Sequence, residues 1–191
     1  MSAKTIHLIR HAQSEHNARV REVSDEDTVR YDPAMRDAPL TALGHAQAQA
    51  LAEDMAALHE LELVVTSPLT RAIQTMTHAF RGHRAPRVVE RLHREHLDSF
   101  CDVGRAPAEL ARTFPALTFG HLNNPWWHTE PDHEGPFARE PMPVLQHRVQ
   151  TFADWLAARP ETTIAVIGHG TFLRMLTDVT FDNVQRVVIR L

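Results

Sequence analysis

The sequence predicts an α/β fold, a three-layer α/β sandwich with a mostly parallel central sheet. Short, nearly continuous apolar runs rich in β-branched residues recur along the chain, and such runs are typical of strands buried on both faces. They occupy residues 5–9, 61–65, 87–89, 163–167 and 187–189. Helical patterns fill the segments between them. Strands that alternate with helices favour a parallel sheet with helices packed on both faces.

The predicted helices follow in chain order from their spacing and their end signals. Residues 41–59 are rich in alanine, their apolar residues fall near helical spacing, and Thr41 is a plausible N-cap. Residues 68–80 predict a second helix with Pro68 at its first position. Further helices are predicted over residues 107–114, 144–158 and 170–176.

Two long segments break this alternation, and we expect them to be functional loops rather than simple connections. Residues 21–39 are polar and rich in turn formers, and residues 114–143 hold much of the proline and glycine. The prediction is therefore one domain over residues 1–191, with loop insertions near 21–39 and 114–143. We expect Trp126 and Trp127 to pack the second loop onto the core.

Composition limits the kinds of partner. The 191 residues are 43% hydrophobic with a formal net charge of -4, so nothing draws the whole chain to nucleic acid or to an anionic membrane. Cys101 is the only cysteine, which fits a reducing compartment. No apolar run reaches the length of a membrane span, and the N-terminus has no signal-peptide pattern. We expect a cytoplasmic protein; its oligomeric state is not predicted.

Charged side chains follow the predicted strands at their carboxyl ends, where ligands bind in open α/β sheets. These residues are Arg10, His11, Arg71, Glu95 and His169. Guanidinium groups match the oxygens of a phosphate, and a neutral imidazole is a nucleophile toward phosphorus. Glu95 is a candidate acid for the leaving oxygen. The set predicts phosphoryl chemistry with an anion held among these side chains.

The segment after the fourth strand adds a second element to this prediction. Gly168 and Gly170 flank His169 and let the chain pass close to a ligand. The backbone N–H groups of the helix that begins there are expected to help hold the anion. Gly170 is therefore included among the phosphate-binding residues.

Four blocks of sequence, in order along the chain, carry a resemblance to a known family. They read LIRHAQSEHN, DAPLTALGHAQA, TSPLTRAIQT and VIGHGTFLRML. They resemble signatures of the histidine phosphatase superfamily, the phosphoglycerate-mutase-like proteins with an RHG motif. The resemblance implies a phosphoglycerate-mutase-like fold and a phosphatase that needs neither metal nor cofactor and acts on a small phosphorylated metabolite.

The resemblance also implies roles for individual residues. His11 would be the nucleophile that becomes phosphohistidine, and Arg10, Arg71 and His169 would form the phosphate pocket around it. Ser14 and Asn17 would add hydrogen bonds. They are also candidate caps of the helix that follows. Glu95 sits where the family often places its proton donor, and Asp102 is the second choice. We expect the flanking cations to keep His11 neutral near pH 7.

The sequence departs from the family pattern at two positions. Ala12 replaces the usual glycine of RHG, so any need for positive φ must be relaxed there, and Gln13 replaces a frequent glutamate. The long insertion of true mutases has no obvious counterpart, which favours a phosphatase. Three alternatives stay open: a phosphoglycerate mutase, a protein phosphohistidine phosphatase, and a non-catalytic module that binds a phosphorylated ligand.

The chain has 14 histidines, and some of them invite a metal-site interpretation. His93 and His96 are three residues apart, and the second loop contains His121, His128 and His133. No cysteine accompanies them and no HExxH pattern occurs there, so we expect no functional metal. The histidines of that loop, with Arg30 and Arg36, weakly indicate a second anionic group on the substrate.

Overall fold

The structure is a computed structural model that describes residues 3–130 and 135–191. Its centre is a five-stranded sheet. The strands are β1 (Thr5–Arg10), β2 (Leu63–Thr66), β3 (Arg87–Val89), β4 (Thr163–Gly168) and β5 (Arg186–Arg190). Their order across the sheet is β3-β2-β4-β1-β5. Strand β5 runs antiparallel to β1 while the other pairings are parallel, which confirms the mostly parallel sheet.

Helices cover both faces of this sheet. Within the described residues the α-helices are α1 (Glu15–Val20), α2 (Asp27–Arg30), α3 (Ala42–Ala56), α4 (Thr70–Ala79), α5 (Pro107–Thr113), α6 (Met142–Ala158) and α7 (Gly170–Thr177). Short 3₁₀ helices lie at Pro33–Met35, Arg91–His93 and Phe100–Asp102. No helix of the described part of the chain has the length and apolar character needed to cross a bilayer.

Two apolar clusters make the sheet the middle layer of three. On one face, Ile167 of β4 packs in a cluster with Ile73 of α4, together with side chains of α3 and α5. On the other face, Leu8 of β1 packs in a cluster with Phe152 of α6 and Phe172 of α7. Strands covered on both faces must be apolar throughout, which is why they read as continuous runs. The predicted three-layer α/β sandwich is confirmed.

Two helix starts differ from the prediction. Helix α4 starts at Thr70 and not at Pro68. The N–H of Thr70 donates to the carboxylate of Asp37, which caps the helix in place of a residue next to it in the sequence. Helix α6 starts at Met142, two residues before the predicted start. Pro143 is tolerated in the first turn because a helix N–H at that position has no partner within the helix. Thr41 does cap α3, with its hydroxyl accepting from Gly44 N at 2.9 Å.

The long loops contain local structure. Residues 21–39 include α2 and a 3₁₀ turn, so this segment is more ordered than the sequence indicated. In the second loop Trp126 is only 2% exposed and belongs to the α3–α5 core, and Trp127 packs on the same cluster. The expected packing of this pair is confirmed.

Candidate active site

The register of the sheet brings two histidines together. Arg10 at the end of β1 is paired with Gly168 at the end of β4, so the next residues, His11 and His169, leave adjacent strand ends side by side. His11 N donates to Gly168 O at 3.0 Å, and the imidazole centroids are 5.1 Å apart. Residues that are 158 positions apart in the chain thus meet at one point of the sheet edge, as predicted.

Arg71 is the third member of this cluster. Helix α4 begins one residue earlier and carries the guanidinium under the strand ends, where it is 2% exposed. Its Nε donates to His11 Nε2 at 3.2 Å, and Nη1 donates to Cys101 O at 2.6 Å. Nη2 donates to the Asp102 carboxylate at 2.7 Å. These bonds hold the cation in one orientation toward the imidazole.

The hydrogen bonds of His11 define its reactive nitrogen. Nδ1 lies 2.7 Å from Ala12 O, and since a carbonyl can only accept, Nδ1 carries the proton. Nε2 is then the lone-pair nitrogen. Burial, followed by the charges of Arg71 and Arg10, holds the pKa of His11 well below its usual 6.5. The expected neutral imidazole is supported, with burial rather than the cations as the leading cause.

Arg10 and Gly170 are in contact. Arg10 Nη1 donates to Phe181 O at 2.6 Å. A Cβ built at Gly170 would lie 3.3 Å from Arg10 Cζ and Nε, so glycine allows the start of α7 to approach the guanidinium closely. Gly170 thus shapes the cluster through its lack of a side chain.

Ser14 and Asn17 form a capping box at the start of α1. Ser14 Oγ accepts from Asn17 N at 3.2 Å, and Asn17 Oδ1 accepts from Ser14 N at 3.3 Å. Both residues also line the cavity beside His11. The capping role and a phosphate-binding role are therefore compatible.

The side chain of Glu95, which comes from the segment after β3, contacts the first turn of α7. Its carboxylate accepts from Thr171 N at 3.0 Å and from Phe172 N at 2.9 Å. The sequence analysis expected the backbone N–H groups at this helix start to help hold a bound anion, but these two donate to the carboxylate of Glu95 instead, and a role for Gly170 stays a prediction. A helix N-terminus favours a negative charge, and here the chain supplies its own.

Asp102 faces the same cavity from another side. Its salt bridge to Arg71 is buried, with both side chains nearly inaccessible. Burial raises the pKa of Asp102 to about 6, although Arg71 acts in the opposite direction. This carboxyl therefore anchors the guanidinium and is also the second candidate proton donor.

Most of the predicted site residues border one cavity of about 180 Å³. These residues are Arg10, His11, Ser14, Asn17, Arg71 and Glu95. His169 is fully buried beside His11, and neither of its ring nitrogens has a partner within the described residues. Because a buried polar atom without a partner is costly, a phosphoryl oxygen that accepts from the N–H of His169 would stabilise that ring.

The structure adds residues that the sequence analysis missed. His16 lines the cavity and its Nε2 lies 3.1 Å from Ser99 Oγ. Burial lowers the pKa of His16 to about 4. Asn183 donates to the carbonyl of His11 at 2.9 Å. His16 lies within the first quoted block, where nothing singled it out, and Asn183 lies 172 positions from its partner, so the sequence offered no signal for Asn183.

The indication of a second anionic subsite is largely wrong. Arg30 does line the cavity, but it is paired with Asp98 at 3.7 Å. Arg36 donates to Gly104 O instead, and His121 lies 2.8 Å from Val89 O. These contacts with backbone carbonyls hold loops in place. Neither Arg36, His121 nor His128 borders the cavity. His133 lies outside the described residues.

Two of the histidines considered for zinc, His93 and His96, have structural partners. His93 is stacked on Phe152 in the core with ring centroids 4.7 Å apart, and His96 Nε2 lies 2.7 Å from Glu140 O. Residues 3–130 and 135–191 contain no group of three or more His, Cys, Asp or Glu side chains that could hold a metal ion.

Ala12 accommodates the site without strain. Among described non-glycine residues, positive φ occurs at Asp37, Asp178 and Val184 and not at Ala12. Ala12 N donates to Thr75 Oγ1 at 3.0 Å and the side chain is fully buried. A methyl group therefore fits where the family signature usually has glycine.

A family model and a relative in Arabidopsis identify the family, and a solved structure agrees on the fold. A family model described as "Histidine phosphatase superfamily (branch 1)" matches residues 6–185. A phosphoglycerate mutase-like protein of Arabidopsis thaliana is 31% identical over 91% of this chain and 73% of its own length. A glucosyl-3-phosphoglycerate phosphatase of Mycolicibacterium vanbaalenii is 27% identical over 93% of this chain and 74% of its own. Among solved structures, Bacillus stearothermophilus YhfR aligns with a TM-score of 0.62 at 21% identity, over 96% of this chain and 89% of that one.

Proposed function

The chain belongs to the histidine phosphatase superfamily, and we propose that it hydrolyses phosphate monoesters of small metabolites through a phosphohistidine on His11. The observation that supports this most is the meeting of Arg10, His11 and Arg71 around one cavity, with His169 buried beside His11. A cavity of about 180 Å³ suits a small phosphorylated metabolite. The name of the Mycolicibacterium relative, a phosphatase of a phosphorylated sugar derivative, supports the same class of substrate.

The first step is attack by His11 Nε2 on phosphorus. The N–P bond forms as the bond to the ester oxygen breaks, and Glu95, which must be protonated in the reacting complex, gives its proton to the leaving alcohol. In the empty site Arg71 Nε donates to the attacking nitrogen of His11. This hydrogen bond must break as the ester binds, and the Nε–H of Arg71 must donate to a phosphoryl oxygen instead. Arg10, Arg71 and His169 then hold the phosphoryl oxygens and stabilise the charge on them.

The second step returns the enzyme to its starting state. Glu95, now ionised, takes a proton from a water molecule whose oxygen attacks phosphorus. The N–P bond breaks, inorganic phosphate leaves and His11 recovers its lone pair. The two guanidiniums supply the positive charge that metal ions supply in other phosphoryl-transfer enzymes, and the neutral imidazole of His169 adds a hydrogen bond.

The experiment is release of p-nitrophenol from p-nitrophenyl phosphate. His11→Ala should lose at least about 10³-fold in kcat, because no other group takes the place of the nucleophile. The exposed His147 provides the matched control, since His147→Ala removes an imidazole far from the cavity and should keep wild-type rates. Acid-labile, base-stable labelling of the wild type by ³²P should disappear in His11→Ala. Equal rates in both variants would remove His11 from the mechanism.

A mutase remains the second candidate, because the Arabidopsis relative is named phosphoglycerate mutase-like. Incubation with 3-phosphoglycerate and a bisphosphoglycerate primer separates the two functions. A mutase accumulates 2-phosphoglycerate, whereas a phosphatase releases inorganic phosphate. A protein phosphohistidine phosphatase would be indicated by activity that survives loss of Glu95, and a binding module by phosphate binding without turnover.

A further inference from the structure

The turn between α7 and β5 is hydrogen-bonded to the end of β1. Val184 N donates to Arg10 O at 3.1 Å, and Arg10 N donates to Gln185 O at 3.2 Å. Phe181 O accepts from the Arg10 guanidinium. Residues 181–185 therefore fix both the backbone and the side chain of Arg10, although they come from the far end of the chain.

This turn has a strained backbone. Val184 has φ of +61°, in the left-handed region that β-branched residues rarely adopt. Strain of this kind persists only where surrounding contacts determine the conformation, and it recurs at functional sites. At Val184 the hydrogen bond to Arg10 O and packing beside Ala12 provide those contacts.

The side chain of Asn183, at the centre of the turn, reaches two site residues. Its Nδ2 lies 2.9 Å from His11 O and 3.3 Å from Asn17 Oδ1. Both of these atoms are acceptors, so the group that faces them is the amide nitrogen. One side chain thus bridges the nucleophile's backbone and the amide of Asn17.

The bridge determines which end of Asn17 faces the cavity. Asn17 Oδ1 accepts from Ser14 N and from Asn183 Nδ2, so its acceptor capacity is directed away from a ligand. The Nδ2 donors of Asn17 are then free to face an oxyanion. With the amide reversed, an oxygen would face the phosphoryl group and repel it.

We propose that Asn183 is a positioning residue, which acts by fixing the amide of Asn17 for phosphoryl binding. The proposal rests on the proposed function for its kinetic consequence. It concerns the orientation of donors and not the chemical step, since Asn183 does not border the cavity.

A double-mutant cycle tests this coupling. Asn183→Ala and Asn17→Ala are each expected to lower kcat/KM for p-nitrophenyl phosphate about tenfold, the effect of one lost hydrogen bond in the site. If Asn183 acts mainly through Asn17, the double variant should be little worse than Asn17→Ala alone. Losses that multiply to about a hundredfold would overturn the proposal.

The same variants are compared a second time by their Kd for orthovanadate, which calorimetry measures without turnover. The three variants should show the same non-additive pattern in Kd as in kcat/KM. Asn123→Ala, which removes an exposed asparagine, is the matched control and should bind vanadate as the wild type does. A wild type that binds vanadate without hydrolysing esters would refute the proposed function, while the pattern of Kd values would still decide the role of Asn183. Unchanged vanadate affinity in Asn183→Ala would contradict that role.

Discussion

At the scale of single residues, two carboxyl groups face the cavity with different partners. Glu95 accepts hydrogen bonds from the backbone of α7, whereas Asp102 is bound to the guanidinium of Arg71. A group that holds Arg71 is needed to bind every phosphate ester, whatever its leaving group. A proton donor matters only when the departing oxygen is strongly basic. The two roles can therefore be separated by the choice of ester.

Glu95→Gln should slow an alkyl ester far more than an aryl ester. With glycerol 3-phosphate we expect kcat to fall by about 10²–10⁴, the usual contribution of a positioned acid. With p-nitrophenyl phosphate the burst of p-nitrophenol should be nearly unaffected, since that leaving group departs without a proton. Rapid-quench measurement of the first turnover isolates this step from hydrolysis of the phosphoenzyme.

Asp102→Asn is the matched comparison, because it also converts a carboxylate that borders the cavity into an amide. It should lower kcat/KM for both esters by a similar factor through a less well-fixed Arg71. If Asp102→Asn shows the selective loss on the alkyl ester, Asp102 is the proton donor and the role proposed for Glu95 is wrong.

At the scale of elements, helix α4 depends on the loop that precedes α3. Asp37 has φ of +48° and is 3% exposed, and its carboxylate accepts from Thr70 N at 2.8 Å and from Thr70 Oγ1 at 2.5 Å. Arg105 donates to the same carboxylate at 2.7 Å. Asp37 thus caps a helix 33 residues away, and the next residue of that helix is Arg71.

Asp37→Ala should destabilise the fold and loosen the phosphate pocket. Loss of the buried acceptor leaves Thr70 N and the Arg105 guanidinium without their partner, which we expect to lower the free energy of unfolding by about 2–4 kcal/mol. Chemical denaturation measures this loss. KM for p-nitrophenyl phosphate should also rise, because Arg71 sits on the first turn of α4.

Asp54→Ala serves as the control, since it removes an exposed aspartate from the last turn of α3 and should change stability by no more than about 0.5 kcal/mol. An Asp37→Ala protein as stable as Asp54→Ala would show that the cap contributes little.

The comparison of Asp37 with His11 shows what sequence reasoning could reach. The ends of β1 and β4 were predictable, because an apolar run that stops at a cation and an imidazole is a local pattern. Asp37, Asn183 and Glu140 act through partners that are distant in sequence, and no spacing reveals such pairings. Glu140, for example, accepts from Arg94 and Arg148, a pairing that also orders the segment before Glu95.

The same distinction explains the errors at the site. The N–H groups at the start of α7 were predictable as an anion site from the Gly–His–Gly pattern alone. That Glu95 fills them depends on how residues 91–97 fold back over β4, which only the tertiary structure determines. Arg36 was misplaced for the same reason, since its partner, the carbonyl of Gly104, could not be known beforehand.

At the scale of the whole molecule, the fold buries several neutral imidazoles. His11, His93 and His169 lie at or beneath the carboxyl edge of the sheet, and each is at most 3% exposed. Burial lowers the pKa of His93 to about 3 and holds those of His11 and His169 well below 6.5. The unfolded chain therefore binds protons near pH 6 that the folded chain excludes.

Stability should consequently be fully present well above pH 6.5 and be lost as the pH falls through 6.5 and below, because a depressed histidine pKa favours the unfolded state in acid. Each such histidine costs about 1.4 kcal/mol between pH 7.5 and 5.5, or about 4 kcal/mol for the three, and His16, with its pKa of about 4, adds a similar loss. Urea unfolding at both pH values, in a buffer free of phosphate, measures the difference.

His93→Phe isolates one of these contributions. The phenyl ring keeps the stacking on Phe152 and cannot be protonated. The free energy of unfolding of this variant should therefore fall by about 1.4 kcal/mol less than that of the wild type over the same pH interval, whatever its value at pH 7.5. His147→Gln removes an exposed imidazole instead and should keep the wild-type loss. If the stabilities of wild type and His93→Phe fall in parallel, His93 is protonated in the folded protein and the neutral buried cluster does not exist as described.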